Sequence, residues 1–253
     1  MYSEGKQIGG TTHAKRRRLR VFFAGRVQGV GFRPAAYRLA RDLELGGAVW
    51  NDPSGAVVEI EGNTEAVEEF LARLPGVLPA IASIESVRFE EMEPSGSWDF
   101  EVLESRVGTS ARGSLPPDTA LCPDCRRELE DPEDPRFRYP FITCSNCGPR
   151  FSIVRYLPYD RERTSMACFP LCEYCASQYR DPSDRRFHAE PLSCPSCGPH
   201  LFFVEAGSAV ASVLRPDASG GLQVSSAGRN YQEVIARAKH MLSRGGVVAV
   251  KGL

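Results

Sequence analysis

Hydrophobic and polar residues alternate along residues 19–24, 48–51 and 56–61, and this period of two is typical of half-buried β-strands. Two other segments have helical spacing. One has Pro34 in its first turn, and the other covers residues 63–74 and is expected to stop at Pro75-Gly76. Further strands are predicted at residues 81–92 and 98–103. The order β-α-β-β-α-β predicts a ferredoxin-like α+β domain over residues 19–104, with an antiparallel sheet covered by two helices.

A glycine-rich loop, residues 25–33, joins the first strand to the first helix. Backbone N–H groups in such a loop, next to the positive end of a helix, form a cradle for an anion. Three glycines alone are weak evidence, because ordinary tight turns also need glycine. Arg33 strengthens the case, because a guanidinium can hold a phosphate through two parallel hydrogen bonds. The loop is therefore a candidate phosphate site.

Eight of the nine cysteines form four Cys-x-x-Cys pairs. The candidate metal ligands are Cys122, Cys125, Cys144, Cys147, Cys172, Cys175, Cys194 and Cys197. Two such pairs supply the four sulfurs that zinc prefers, so we expect two structural zinc ions with no open position for a catalytic water. Disulfides or buried free thiols are the alternatives. They are disfavoured because four matched pairs occur without a secretory signal.

The second pair of Cys-x-x-Cys motifs repeats the first at an offset of fifty residues. Asp131-Pro132 returns as Asp181-Pro182, Arg136-Phe137 as Arg186-Phe187, and Cys147-Gly148-Pro149 as Cys197-Gly198-Pro199. This duplication predicts two modules, residues 122–147 and 172–204, joined by a connection over residues 148–171. It favours one ion within each module over a cross-braced arrangement.

Three further side chains between and within these modules carry specific expectations. Cys168 has no counterpart in the first copy and is expected to be a small buried residue. His188 could titrate or bind metal, but a surface or interface histidine is favoured. Arg150 is expected to extend outward from the first module.

The rest of the chain is assigned to linkers and to the start of another domain. Residues 1–18, which end in four basic residues, are predicted to be a disordered tail, and residues 105–121 and 205–228 are predicted linkers. A short strand is predicted at residues 201–204, a helix at 231–242 and a buried strand at 247–250. Because a buried strand needs neighbours, we expect residues 229–253 to begin a domain that the chain does not complete.

Charge and hydropathy narrow the class of protein. The formal net charge is −1 over 253 residues, and no apolar run is long enough to cross a bilayer, so a cytoplasmic location is expected. A zinc-ribbon protein that binds nucleic acid is an alternative. It is disfavoured by the near-neutral charge and by the lack of a basic stripe with aromatic residues.

The loop from Gly25 to Arg33 resembles the acylphosphatase signature, and Asn51 matches that family's catalytic asparagine. The resemblance implies that residues Gln28, Gly29, Val30, Gly31, Phe32 and Arg33 bind the phosphate of an acyl phosphate. It also implies that Arg33 stabilises the phosphoryl charge and that Asn51 orients the attacking water. In its absence Asn51 would be read as an ordinary turn residue.

The combination of domains resembles the hydrogenase-maturation carbamoyltransferases, the HypF family. Three segments carry the resemblance, residues 147–151, 158–161 and 184–188, and residues 244–253 are similar to the opening of that family's YrdC-like α/β domain. Membership implies cleavage of carbamoyl phosphate to carbamate and phosphate. It further implies adenylation of carbamate by ATP in the YrdC-like domain, and transfer to a cysteine of the partner protein HypE. The chain is then expected to be a fragment that performs only the first step. A free-standing acylphosphatase with a zinc interaction module is the alternative.

Overall fold

A computed structural model of the protein describes residues 16–106, 114–204, 214–216, 222–224 and 231–250. Residues 16–102 form five strands and two helices. These are β1 (Arg16–Arg26), α1 (Phe32–Asp42), β2 (Gly46–Asp52), β3 (Gly55–Asn63), α2 (Thr64–Val77), β4 (Ser83–Met92) and β5 (Phe100–Val102). The predicted order of elements is confirmed, although most boundaries move by one to three residues.

The five strands form one sheet in the order β4-β1-β3-β2-β5. The first four strands pair antiparallel, which gives the ferredoxin-like arrangement. β5 pairs parallel to β2, with Gly47 opposite Phe100, so the expectation of a purely antiparallel sheet is wrong for this edge. Both helices pack on one face. The core between them and the sheet contains Leu19, Val21, Phe23, Ala36, Leu39, Val49, Val58, Ile60, Val67, Phe70 and Leu74.

The basic run before residue 19 lies in the sheet. β1 begins at Arg16, so the last three residues of the predicted tail are strand residues. Arg16 donates to Glu61 on β3 at 3.1 Å, and Arg18 donates to Glu59 at 2.7 Å. Acidic residues on the neighbouring strand therefore explain the basic run, which the sequence analysis assigned to a solvated tail.

Pro75 lies inside α2, so the prediction that the helix stops before it is wrong. The helix begins after Asn63, whose side chain accepts a hydrogen bond from the N–H of Ala66 at 2.7 Å, and it continues to Val77. Pro75 lies two residues from the end, so the backbone hydrogen bond that it removes belongs to the last turn of the helix.

Each Cys-x-x-Cys module contains a short helix. α3 (Pro123–Glu130) and α4 (Glu173–Arg180) begin immediately after Cys122 and Cys172, which are the N-cap residues. The connection between the modules contains two 3₁₀ turns, Arg161–Arg163 and Ser165–Cys168. Cys168 is exposed rather than buried, because its turn lies at the surface, and its Sγ donates to the carbonyl oxygen of Ser165.

The fifty-residue repeat is reproduced in three dimensions as reciprocal contacts between the modules. Arg136 Nε donates to the carbonyl oxygen of Ser193 at 2.9 Å, and Arg186 Nε donates to that of Thr143 at 3.1 Å. Residues 143 and 193 are themselves fifty positions apart. The same holds for Gln178, which accepts from Arg136, and Glu128, which accepts from Arg186. The two modules therefore face each other across an approximate two-fold axis.

The last described segments are β6 (Leu214–Pro216), β7 (Leu222–Val224) and α5 (Tyr231–Ser243). β6 and β7 pair antiparallel, and α5 confirms the predicted helix. Residues 201–204 are not a strand, and neither are residues 247–250. Val247 and Val250 are 94% and 88% exposed, because no described strand lies beside them to pair with. Among the described helices, none combines the length and apolar character needed to cross a bilayer.

Candidate active site and metal centres

The eight predicted metal ligands gather into two clusters, one in each module. Within each cluster the four Sγ atoms all lie within 4.8 Å of one another. The Sγ atoms of Cys122 and Cys144 are 3.7 Å apart, and those of Cys172 and Cys194 are 3.6 Å apart. Each set combines the two pairs of one copy, so the sequential arrangement is confirmed and the cross-braced one is wrong. All eight cysteines are free of disulfides.

The first cluster is built to hold negatively charged sulfur. The N–H of Cys125 donates to Cys122 Sγ at 3.4 Å, and the N–H of Asn146 donates to Cys144 Sγ at 3.3 Å. Arg185 of the other module lies 3.1 Å from Cys125 Sγ. In the second cluster Arg136 lies 3.2 Å from Cys175 Sγ. Four thiolates with donors around them fit a tetrahedral metal ion such as zinc and leave no open coordination position.

The glycine-rich loop is shaped as an anion cradle. Gly29 and Gly31 have φ angles of 67° and 78°, and Gly31 is the N-cap of α1. A Cβ at Gly29 would lie 3.0 Å from Tyr159 and 3.0 Å from Pro116, so glycine is needed there for space as well as for conformation. The backbone N–H groups of residues 28–33 donate to none of the described residues. These free donors lie immediately before and within the first turn of an eleven-residue helix, where a helix favours negative charge.

Gln28 fixes this loop to its surroundings. Its Nε2 donates to the carbonyl oxygens of Asp52 at 2.6 Å and Gly55 at 2.8 Å, in the turn between β2 and β3. Its Oε1 accepts from the N–H of Tyr159 at 2.9 Å. Gln28 therefore acts on the shape of the loop through its side chain, whose three hydrogen bonds hold the loop against β2, β3 and Tyr159.

Arg33, in the first turn of α1, is held by carboxylates from the other half of the chain. Its Nη2 lies 2.6 Å from Glu190 Oε1, and its Nη1 lies 3.0 Å from Asp160 Oδ1. Nη2 also donates to the carbonyl oxygen of Tyr159 at 3.3 Å. Burial acts to lower the pKa of Arg33, but Glu190 and Asp160 outweigh it and raise that pKa. Arg33 Nε and one N–H of Nη1 donate to none of the described residues, so two of its five donors remain for a ligand.

Glu190 is the carboxylate most deeply buried against Arg33. Burial is the main influence and raises the pKa of Glu190, while Arg33 acts to lower it. Glu190 Oε2 also accepts from the hydroxyl of Tyr179 at 2.7 Å and from the N–H of Arg161 at 3.0 Å. These three donors offset only part of the effect of burial, and the pKa of Glu190 stays raised.

Asn51, on β2, presents a free acceptor. The side chain is buried, its Nδ2 lies 3.5 Å from the carbonyl oxygen of Tyr159, and its Oδ1 has no hydrogen-bond partner among the described residues. A buried amide oxygen without a partner is costly, so such an atom requires an explanation.

Arg150 reaches the loop from the start of the connection, next to the first module, and does not extend outward as predicted. Its Nε donates to the carbonyl oxygen of Gly29 at 2.9 Å, and its Nη2 donates to that of Ser145 at 2.7 Å. Its Nη1 is buried without a partner in the described structure. The two carbonyl groups attract the guanidinium inward, and this is why it does not lie in solvent.

A small cavity lies where these groups meet. It is lined by residues from both halves, including Gly29, Arg33, Asn51, Arg150, His188 and Glu190, and its volume is about 20 Å³, room for about one water molecule. Four buried side-chain atoms in the described residues have no partner, and those of Asn51, Arg150 and His188 belong to this lining. The expected surface or interface histidine at 188 is thus an interface residue with a buried, unpaired Nδ1.

The sequence analysis identified the loop, Arg33 and Asn51, and the structure brings them together around this cavity. It did not identify Arg150, Tyr159, Asp160 and Glu190 as their neighbours. Comparison of the duplicated modules gives no clear signal for any of them. Pro140 of the first copy corresponds to Glu190 of the second, but the copies also differ at most of their other equivalent positions.

Two family models match the chain. Residues 19–102 match the acylphosphatase model, and residues 121–154 and 171–204 match the HypF finger model. Carbamoyltransferase HypF of Rhizobium leguminosarum bv. viciae is 52% identical over 151 residues, which cover 60% of this chain and 20% of that protein. Acylphosphatase of Trichormus variabilis is 43% identical over 86 residues, 34% of this chain and 84% of that protein.

Solved structures agree with these matches. Full-length HypF in the phosphate- and nucleotide-bound form superposes with a TM-score of 0.80 at 38% identity, covering 94% of this chain and 29% of that one. HypF of T. kodakarensis superposes with a TM-score of 0.72 at 38% identity, covering 93% of this chain and 27% of that one. The chain spans about a fifth of the length of the curated HypF relatives. The chain belongs to the HypF family, and its residues 19–102 belong to the acylphosphatase family.

Proposed function

We propose that this chain hydrolyses an acyl phosphate to phosphate and the free acid, with Arg33 and Asn51 as catalytic residues. The observation that carries the proposal is the convergence of unpaired groups on one cavity. The backbone N–H groups of residues 28–33, the Nε of Arg33 and the Oδ1 of Asn51 have no partner among the described residues, and of these residues Gly29, Gly31, Phe32, Arg33 and Asn51 line the cavity. They supply donors for a phosphoryl group and an acceptor for a water molecule.

The phosphoryl group would lie in the cradle formed by residues 28–33, and the cavity of about 20 Å³ would have to widen to admit it. Backbone N–H groups and the start of α1 would bind its equatorial oxygens, and Arg33 would neutralise the charge that spreads over them in the transition state. Because the backbone donors are fixed before the substrate arrives, they stabilise charge with little reorganisation. Arg33 must share its donors with Glu190 and Asp160, which keep the guanidinium in place.

The attacking water would donate a hydrogen bond to Oδ1 of Asn51. Its oxygen forms a bond to phosphorus while the bond from phosphorus to the acyl oxygen breaks, and the acyl carboxylate leaves with the electron pair of that bond. The water proton passes to the phosphate product. This scheme needs orientation and charge stabilisation but no general base.

Carbamoyl phosphate is the substrate that the HypF relationship favours, and its hydrolysis would release carbamate and phosphate. The names of the relatives describe carbamoyltransferases. We therefore assign this chain the first step, and place ATP-dependent adenylation and transfer to HypE in the portion of those proteins that this chain does not span. The YrdC-like assignment of residues 229–253 stays a prediction, as does a cytoplasmic location.

Two structural zinc ions are proposed for the cysteine clusters, one in each module. Support comes from four thiol groups within 4.8 Å and from the N–H and guanidinium donors beside the sulfurs. With four sulfur ligands, zinc would stabilise the modules and take no part in the hydrolysis.

The experiment measures phosphate release from carbamoyl phosphate and from acetyl phosphate by the zinc-loaded chain. Arg33→Ala and Asn51→Ala are each expected to lower kcat/KM by at least a hundredfold. Arg41→Ala is the control, because it removes the same charge from the same helix at an exposed position. A loss of less than tenfold in both site variants would remove the catalytic assignment.

A further inference from the structure

Two of the many positions at which the duplicated modules differ lie beside Arg33 in the second copy. Residue 138 is arginine where residue 188 is histidine, and residue 140 is proline where residue 190 is glutamate. Arg138 and His188 have similar φ angles, 55° and 49°. Arg138 is exposed, whereas His188 lines the cavity that contains Arg33 and Asn51. The second module therefore places a histidine at the phosphate site where the first module has an exposed arginine.

His188 is a neutral group with an unused polar atom. Burial first, and then the charge of Arg33, lower its pKa to about 3, so it carries no charge near neutral pH. Its ring packs against those of Tyr179 and Phe187, with ring centroids 4.9 Å and 4.7 Å away. The Nδ1 atom is buried and has no hydrogen-bond partner among the described residues.

We propose that His188 contacts the acyl half of the substrate and that its Nδ1 accepts a hydrogen bond from an N–H of that half. This inference rests on the proposed hydrolysis of an acyl phosphate. It assigns to the second zinc module a residue that determines specificity, favouring an acyl group that carries an amino group over one that carries a methyl group.

The arrangement of donors and acceptors around the cavity supports this orientation. The loop of residues 28–33 offers donors, which suit the phosphoryl oxygens. The second module offers Nδ1 of His188 and the carboxylate of Glu190, and the connection offers the carbonyl oxygen of Tyr159. Acceptors repel phosphoryl oxygens and bind N–H groups, so an acyl group with N–H donors fits this side. A methyl group would leave the buried acceptor unpaired, and this is the situation in which enzymes discriminate strongly.

The test compares carbamoyl phosphate with acetyl phosphate in the zinc-loaded chain, using the ratio of their kcat/KM values. His188→Leu is expected to lower that ratio by about tenfold or more, because only the substrate with N–H donors loses a partner. His188→Gly should lower it as well, and glycine adopts the positive φ angle without strain. His188→Asn is expected to keep the ratio within about threefold, because asparagine tolerates this φ angle and carries a polar atom on the same carbon position.

Arg138→Leu is the matched control, since it makes the same change at the equivalent, exposed position of the first module. Its ratio should equal that of the parent chain. If both His188→Leu and His188→Gly keep the ratio of the two kcat/KM values within twofold of the parent ratio, the proposal is overturned. This includes the result in which hydrolysis of both substrates slows by the same factor. If the parent chain hydrolyses neither substrate, it is the proposed function that fails.

Discussion

Arg33 and Glu190 are separated by 157 positions in the chain, yet Nη2 of the arginine lies 2.6 Å from Oε1 of the glutamate. One belongs to the acylphosphatase half and the other to the second zinc module. Arg33 is also paired with Asp160 of the connection at 3.0 Å. The residue proposed to bind phosphate is therefore held by two carboxylates with which phosphate must compete.

This competition predicts that Asp160→Asn binds inorganic phosphate more tightly. Asp160 is the more exposed of the two carboxylates, so its neutralisation should remove a repulsive charge without unfolding the interface. We expect the inhibition constant of phosphate, measured against acyl phosphate hydrolysis, to fall about three- to tenfold. Glu162→Gln, an exposed acidic residue two positions away, should leave it unchanged. An unchanged affinity in Asp160→Asn would contradict this competition, and a weaker affinity would show that Asp160 supports binding.

A second prediction concerns the interface between the modules. Arg136 is fully buried and donates to Ser193, Gln178 and Cys175 of the opposite module. Arg136→Met would leave these groups without their partner, and we expect a loss of about 3 kcal/mol in stability. Urea-dependent release of zinc to a chelator measures this loss of stability. Arg127→Met, exposed on α3 and paired only with Asp124, should change stability by about 0.5 kcal/mol or less, and an equal effect of both variants would contradict the interface described here.

Metal content gives a third prediction. Elemental analysis of the purified chain is expected to find two zinc ions per molecule, and about one in Cys144→Ser, because serine replaces one thiolate of the first cluster. Cys168→Ser should retain both ions, since Cys168 is exposed and belongs to neither cluster. Equal zinc content in Cys144→Ser and Cys168→Ser would contradict the assignment of ligands.

The acylphosphatase half should lose stability in acid through Glu61. Burial acts to raise the pKa of Glu61, but hydrogen bonds from Ser95, Gly96 and Arg16 outweigh it and lower that pKa from 4.5 to about 2. A carboxylate whose pKa is lower in the folded state stabilises that state at pH values above the pKa that it has in the unfolded chain. Its contribution should therefore be present above pH 4.5 and be lost as the pH falls towards about 2.

Urea unfolding followed by tryptophan fluorescence measures this effect, because both tryptophans, Trp50 and Trp98, lie in the acylphosphatase half. Glu61→Gln should reduce the pH dependence between about pH 5 and pH 2. Glu65→Gln, exposed on α2, serves as the control. A pH dependence in Glu61→Gln equal to that of the parent chain would exclude Glu61 as its source.

The features that sequence could predict are those encoded by neighbouring residues. The strand and helix periods, the loop before Arg33 and the paired cysteines are local patterns, and each was found. The contacts of Glu190 with Arg33 and of Arg150 with Gly29 depend on which surfaces of two halves meet, and no local period records that. The predicted strand at residues 247–250 was wrong for a related reason. Its apolar residues describe a buried strand, but within the described structure no strand pairs with it.

The most direct test of the central claim is a titration of the zinc-loaded chain with inorganic phosphate, followed by amide NMR. The N–H groups of residues 28–33 are unpaired among the described residues, so phosphate bound in the cradle should shift several of them together, with one dissociation constant, and Arg33→Ala should abolish the shifts. Shifts confined to other arginine-rich surfaces, with residues 28–33 unaffected, would contradict the assignment of this loop as the phosphate site.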